Sequence, residues 1–248
     1  MSKLMLVSAF APVSHLLERI EPNLKGKTVT FIPTASMKDS TGFFNRMAKW
    51  QLRALGLNVQ EIDVAVASYH DIKTTIASSS MIYVTGGNTF YLLQSLRYSS
   101  SDELIAQAVR EGKTYIGESA GAVVAGPNIE YIKRMDSEDP APYLDSNYAS
   151  LGLVDFSIVP HIDGPALGVR PVSGAERLDV VLERLSEVTL GQPLDCLAER
   201  GHGRHELVGA QLVDAHQATA PSSAALATTV EVFTMYSSNG GVSWLSML

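Results

Sequence analysis

The chain has 248 residues, a formal net charge of −7, 46% hydrophobic and 18% charged residues, enough to bury a core in one large α/β domain or two small ones. No block of lysine or arginine supplies the basic footprint of a nucleic-acid binder, and no apolar run approaches the roughly 20 residues of a membrane-spanning helix. The single cysteine, Cys196, cannot close an internal disulfide, and the apolar run from Leu4 to Phe10 is too short for a secretory signal core, so a cytoplasmic protein is expected.

Short apolar, β-branched runs alternate with longer segments of helical period. Leu4–Val7 and Thr28–Ile32 read as buried strands, the second closed by Pro33, and between them Val13, Leu16, Leu17 and Ile20 recur at helical spacing. Asp39 to Leu55 reads as a helix with Phe43, Met47, Trp50 and Ala54 on one stripe, followed by a strand from Leu57 to Ile62. Met81–Val84 is the next strand and ends at Gly86-Gly87; Asn88–Leu96 and Asp102–Val109 follow as helices. Thr114–Ile116 is a further strand, Val154–Val159 reads as one leading into Pro160-His161, Gly174–Leu185 as a helix, and His205–Val213 as a last strand. From His216 the composition changes: 217–229 is mostly Ala, Ser and Thr, and an apolar end runs from Val230 to Leu248. We therefore expect an α/β domain over residues 1–215 and a C-terminal extension over 216–248. The alternation predicts a mostly parallel, doubly wound sheet with helices on both faces, whose ligands bind at the carboxyl ends of the strands.

Gly117-Glu118-Ser119-Ala120-Gly121 falls at such an end. A serine flanked by glycines at a strand-to-helix junction can sit on a strained turn with its Oγ raised out of the sheet, and the next N–H is then free to face a developing negative charge. The same pattern also fits a glycine-rich turn with a serine helix cap. A serine nucleophile needs a base, a group orienting that base, and oxyanion donors. Of the six histidines, His161 ends a predicted strand on the same rim as Ser119. Gly86-Gly87-Asn88-Thr89 offers a second oxyanion donor or, more plainly, a tight turn with a helix cap. Asp136, Asp155 and Glu199 are carboxylates that could each orient a histidine.

Three segments in order, Val84-Thr85-Gly86-Gly87-Asn88-Thr89-Phe90, Tyr115 to Ala122, and Asp155-Phe156 to Pro160-His161, resemble the aspartyl dipeptidase (peptidase E) family, with Gly87 lying 32 positions before Ser119 as in that family. Its wider relatives are cyanophycinase and, by fold, the class I glutamine amidotransferases, which implies a three-layer sandwich. The resemblance implies Ser119 as nucleophile, His161 as general base and acid, and the N–H groups of Gly87 and Ala120 as the oxyanion hole. Leu197-Ala198-Glu199-Arg200-Gly201 is similar to the family's third triad segment, which points to Glu199, with Asp136 as its rival. Gly174-Ala175-Glu176-Arg177 resembles the segment that carries the arginine for the substrate's aspartate, and Asn88 is assigned to substrate binding. The implied activity is hydrolysis after an N-terminal Asp in Asp-X dipeptides, without cofactor or metal. The partner expected is a small acidic dipeptide, not nucleic acid or membrane, and a homodimer is left open. Three other readings stand beside it: hydrolysis of β-aspartyl or cyanophycin-type peptides, a catalytically inactive relative that binds a small acidic ligand, and an esterase of the α/β-hydrolase fold. The last has the right triad order in Ser119, Asp136 and His161 but lacks its oxyanion motif.

Overall fold

Five strands form the centre of the computed structural model, which describes residues 3–36, 42–161, 232–238 and 241–244. They are β1 (Lys3–Val7), β2 (Thr28–Ile32), β3 (Asn58–Glu61), β4 (Met81–Val84) and β5 (Thr114–Glu118). All five are parallel, in the order β3-β2-β4-β5-β1. A strand covered on both faces reads as a continuous apolar run; Met81–Val84 is buried at every position, whereas the outermost strand, Asn58–Glu61, is polar and mostly exposed. Two further strands, β6 (Val232–Ser238) and β7 (Gly241–Trp244), come from the apolar end of the chain and extend the sheet antiparallel beyond β1. The mostly parallel α/β sheet expected from the sequence is the architecture observed.

The period-2 alternation of the strands divides the interior in two. Leu4, Leu6, Ile32, Ile82, Val84 and Tyr115 point to one face, where they meet α3 (Tyr69–Ser78), α4 (Thr89–Tyr98), α5 (Ser101–Arg110) and α6 (Ala120–Val123). Met5, Val7, Phe31, Tyr83 and Ile116 point to the other, against the 3-10 turn Ala11–Leu16, α1 (Leu17–Ile20) and α2 (Gly42–Ala54). The result is a three-layer sandwich with helices on both faces.

Two local expectations are corrected, and one helix is added. The aromatic stripe on α2 faces outward: Phe43 is 54% and Trp50 67% exposed, while Ala48 and Leu52, four apart, form the buried contact. Alanine lets the helix approach the sheet more closely than an aromatic stripe would. Val154–Val159 is not a strand. Its main-chain groups bond outside any ladder: Val154 N–H donates to Ala125 O at 3.2 Å, and Ile158 exchanges bonds with the Tyr131 hydroxyl. Helix α3 is absent from the sequence reading because its apolar positions, Ile72 and Ile76, are few; it is started by Ser68, whose side chain accepts the Asp71 N–H at 3.2 Å. The predicted helix at 174–185 and strand at 205–213 lie outside the described residues.

Candidate active site

Strand β5 ends at Glu118 and α6 begins at Ala120. Ser119, between them, has φ 50° and ψ −109°, a conformation that non-glycine residues rarely adopt and that persists only where the surroundings impose it. They do so here: Ser119 N–H donates to Val7 O at 2.8 Å, and the Ser119 carbonyl accepts the N–H groups of Ala122 at 2.9 Å and Val123 at 3.0 Å. The turn presses α6 against β4 so closely that a Cβ on Gly121 would stand 2.2 Å from Val84 O. Tyr115, fully buried beneath, donates its hydroxyl to Gly121 O at 2.7 Å and fixes the same contact.

The second glycine motif leaves β4 beside this turn. Gly87 has φ +139°, and a Cβ there would lie 2.2 Å from Ala35 O, so the loop can pass the end of β2 only as glycine. Asn88 N–H bonds Ala35 O at 3.0 Å, and its side chain caps α4 by accepting Tyr91 N–H at 2.8 Å while its amide donates to Ser137 O at 2.8 Å. The cap and the tight turn are therefore both real, and they aim the loop at Ser119: a Cβ on Gly86 would be 3.0 Å from Ser119 Cβ. Among the described residues, the N–H groups of Gly87 and Ala120 make no hydrogen bond to another residue.

His161 arrives from the other side of the rim. Its Nε2 lies 2.9 Å from Ser119 Oγ, although the two residues are 42 positions apart in the chain. The segment leading to it is pinned by Leu151 N–H to Val124 O at 3.0 Å, Leu153 N–H to Ala125 O at 2.9 Å, and the Tyr131–Ile158 pair. His161 itself has φ 61°. Asp136 is placed at the start of α4, where its Oδ2 accepts the Thr89 N–H at 2.8 Å and the Thr89 hydroxyl; a carboxylate there is favoured by the unpaired N–H groups of the first turn. Glu199 and Arg177 lie outside the described residues.

One carboxyl group beside the site was not singled out in the sequence. Glu118, next to Ser119 and turned to the opposite side of the sheet rim, accepts Phe10 N–H at 2.9 Å on Oε1 and the hydroxyl of fully buried Tyr83 at 2.7 Å on Oε2. Burial pushes its carboxyl above the usual 4.5, against the pull of those two donors. A glutamate in a G-x-S-x-G turn reads as solvated, and only the apolar run before it hints otherwise. Ser8, whose Oγ accepts His161 N–H at 3.2 Å, carries no motif at all. Among the described residues, no group of His, Cys, Asp and Glu is arranged to hold a metal ion, and no helix is long and apolar enough to cross a membrane.

A serine–histidine pair raised on a strand-to-helix elbow, at the carboxyl rim of a mostly parallel three-layer sheet, places the chain among α/β enzymes built around such a turn. The model of peptidase family S51 matches residues 4–189, and the chain belongs to that family. It is 50% identical over 161 residues, 65% of its length and 78% of the relative's, to an uncharacterized peptidase of Listeria monocytogenes. It is 31% identical over 163 residues, 65% of its length and 71% of the relative's, to peptidase E of Haemophilus influenzae. The fold superposes with a TM-score of 0.68 and 45% identity on a Listeria monocytogenes crystal structure described as a candidate peptidase E, covering 74% of this chain and 87% of that one. A peptidase from an acI-B1 actinobacterium shares the fold at 19% identity and a TM-score of 0.52, over 73% of this chain and 75% of that one.

Proposed function

We propose that this peptidase is a serine exopeptidase that hydrolyses the bond after an N-terminal aspartate in Asp-X dipeptides. The observation that carries the reading is the 2.9 Å approach of Ser119 Oγ to His161 Nε2 on the elbow. Ser119 Oγ attacks the scissile carbonyl carbon while its proton passes to His161 Nε2; the carbonyl oxygen becomes an oxyanion facing the N–H groups of Gly87 and Ala120. Each such donor is worth about 3 kcal/mol of barrier. The imidazolium then protonates the leaving amine as the C–N bond breaks, and water, deprotonated by the same ring, hydrolyses the acyl-enzyme. Glu199 is the orienting carboxylate in this reading, and Asp136, whose Oδ2 already takes two bonds from Thr89, is its rival. Arg177 is assigned to the substrate's β-carboxylate, which a guanidinium can grip with two parallel hydrogen bonds. Asn88, occupied as a helix cap, contributes by holding the oxyanion loop.

Hydrolysis of Asp-Leu, Glu-Leu and β-aspartyl-Leu by purified protein, followed by amine release, tests the reading. Asp-Leu is expected to be cleaved preferentially, and Ser119→Ala to lower kcat by roughly 10⁴-fold or more. Undiminished turnover in Ser119→Ala would remove the mechanism, and preference for the β-linked peptide would transfer the specificity to the cyanophycin-type class.

A further inference from the structure

The histidine is held by something other than a strand. The segment before it forms no ladder, Pro160 has no N–H, and His161 adopts a left-handed backbone, φ 61°. A residue in that region stays there only when neighbouring groups fix it. The group that meets the His161 N–H is the hydroxyl of Ser8, at 3.2 Å. Ser8 directly follows Val7, whose carbonyl accepts the N–H of Ser119 at 2.8 Å. Two residues on, Phe10 N–H donates to Glu118 Oε1 at 2.9 Å. The segment 7–10 is thus fastened to the elbow at both ends, and the residue between those fastenings reaches across to the histidine.

We propose that Ser8 is a positioning residue of this active site: its hydroxyl fixes the backbone of His161 while the adjoining carbonyl of Val7 fixes that of Ser119, so the carboxyl rim of β1 sets the distance between nucleophile and base. The proposal rests on the reading of Ser119 and His161 as nucleophile and base. Ser8 needs no contact with substrate for this role. Loss of its hydroxyl leaves the His161 N–H without that acceptor and releases a backbone that has no ladder to hold it. Small displacements of a catalytic base are costly because proton transfer depends steeply on donor–acceptor geometry.

The test compares Ser8→Ala and Ser8→Thr with the unaltered protein in three measurements. The first is the rate of Ser119 phosphonylation by a fluorophosphonate probe across pH. The second is kcat and KM for Asp-Leu. The third is the titration of the His161 ring by ¹⁵N NMR, assigned with His161→Gln. Ser8→Ala is expected to slow phosphonylation and kcat together by roughly 10- to 100-fold, with KM within about twofold. Ser8→Thr, which restores a hydroxyl at the same atom, is expected to recover most of both rates. Ser8→Ala should also shift the His161 titration, and in a Ser119→Ala background it should shift it no further, because the contact it preserves is already gone. Equal phosphonylation rates in Ser8→Ala and the unaltered protein, no recovery in a folded Ser8→Thr, or additive shifts of the His161 titration would each overturn the assignment. If Ser119 is phosphonylated but Asp-Leu is not cleaved, the substrate reading alone fails and the labelling rates still decide Ser8. If the probe does not react, the NMR cycle decides it.

Discussion

Glu118 sits in surroundings far from those its residue type suggests. A carboxyl group at the end of a buried strand, with Phe10 N–H and Tyr83 hydroxyl as donors, is held in its protonated form to a higher pH than an exposed glutamate. The unfolded chain releases that proton near 4.5, the folded chain later. Its contribution to stability is therefore complete below that pH and is lost as pH rises through the raised value. Glu118→Gln, which keeps an acceptor for Phe10 and presents an N–H to the Tyr83 oxygen, is expected to flatten this alkaline-side loss in denaturant midpoints measured across pH. Glu118→Ala, leaving both donors unmatched, is expected to cost about 2 kcal/mol below pH 4.5 and less as pH rises. An equally sloped profile for Glu118→Gln would place the pH dependence elsewhere. At this scale the sequence is legible where a motif records a steric demand: Gly87 and Gly121 are fixed by carbonyl oxygens 2.2 Å from where a Cβ would stand. The bonds from His161 N–H to Ser8 and from Phe10 N–H to Glu118 cross 153 and 108 positions of chain, and no local pattern carries that information.

The element that brings His161 to the rim is an irregular run supported from within by a tyrosine. Tyr131, buried in the 3-10 turn Glu130–Arg134, donates its hydroxyl to Ile158 O and accepts Ile158 N–H at 3.1 Å, replacing the ladder that a strand would have provided. Tyr131→Phe removes both bonds and strands a buried backbone N–H, with an expected loss of about 1–3 kcal/mol in chemical denaturation. Because His161 follows three residues later, kcat for the same peptide should fall more than stability explains, under conditions where the variant is fully folded. Unchanged kcat would show that the approach to His161 is held by the other anchors. The run 154–159 reads as a strand because its composition matches one, but period and composition do not say whether a neighbouring strand is free to pair with it. The central strands are legible because burial on both faces demands continuous apolar runs. The α2 stripe misleads for the converse reason: Phe43 and Trp50 share a helical face, but the close contact with the sheet is made by Ala48 and Leu52.

Across the whole molecule the two ends of the sheet have different chemistry. At the pole opposite the serine, Glu21 accepts from Lys3 at 2.9 Å, from Lys27, and from the Thr114 hydroxyl at 2.8 Å, tying together the starts of β1, β2 and β5. Burial works against its ionisation, but the hydrogen bonds from Lys27, Lys3 and Thr114 outweigh it and pull the carboxyl down to about 2. The sign is opposite to that of Glu118: the contribution is present above 4.5 and is lost as pH falls through about 2. Acid unfolding monitored by circular dichroism should therefore begin at higher pH in Glu21→Gln than in the unaltered chain; coincident acid transitions would assign acid lability to other carboxylates. The β6–β7 hairpin bears on the molecule in another way. Ser119, His161 and the anchors that hold them precede residue 162, while β6, which pairs with the outer edge of β1, begins only at Val232. Until residues 232–238 are made, β1 therefore lacks the strand that pairs with its outer edge in the complete fold. An unpaired margin of that kind recruits foreign strands. A chain truncated before residue 232, which still carries Ser119, is thus expected to aggregate more readily than the full chain, as light scattering of the two at equal concentration would read.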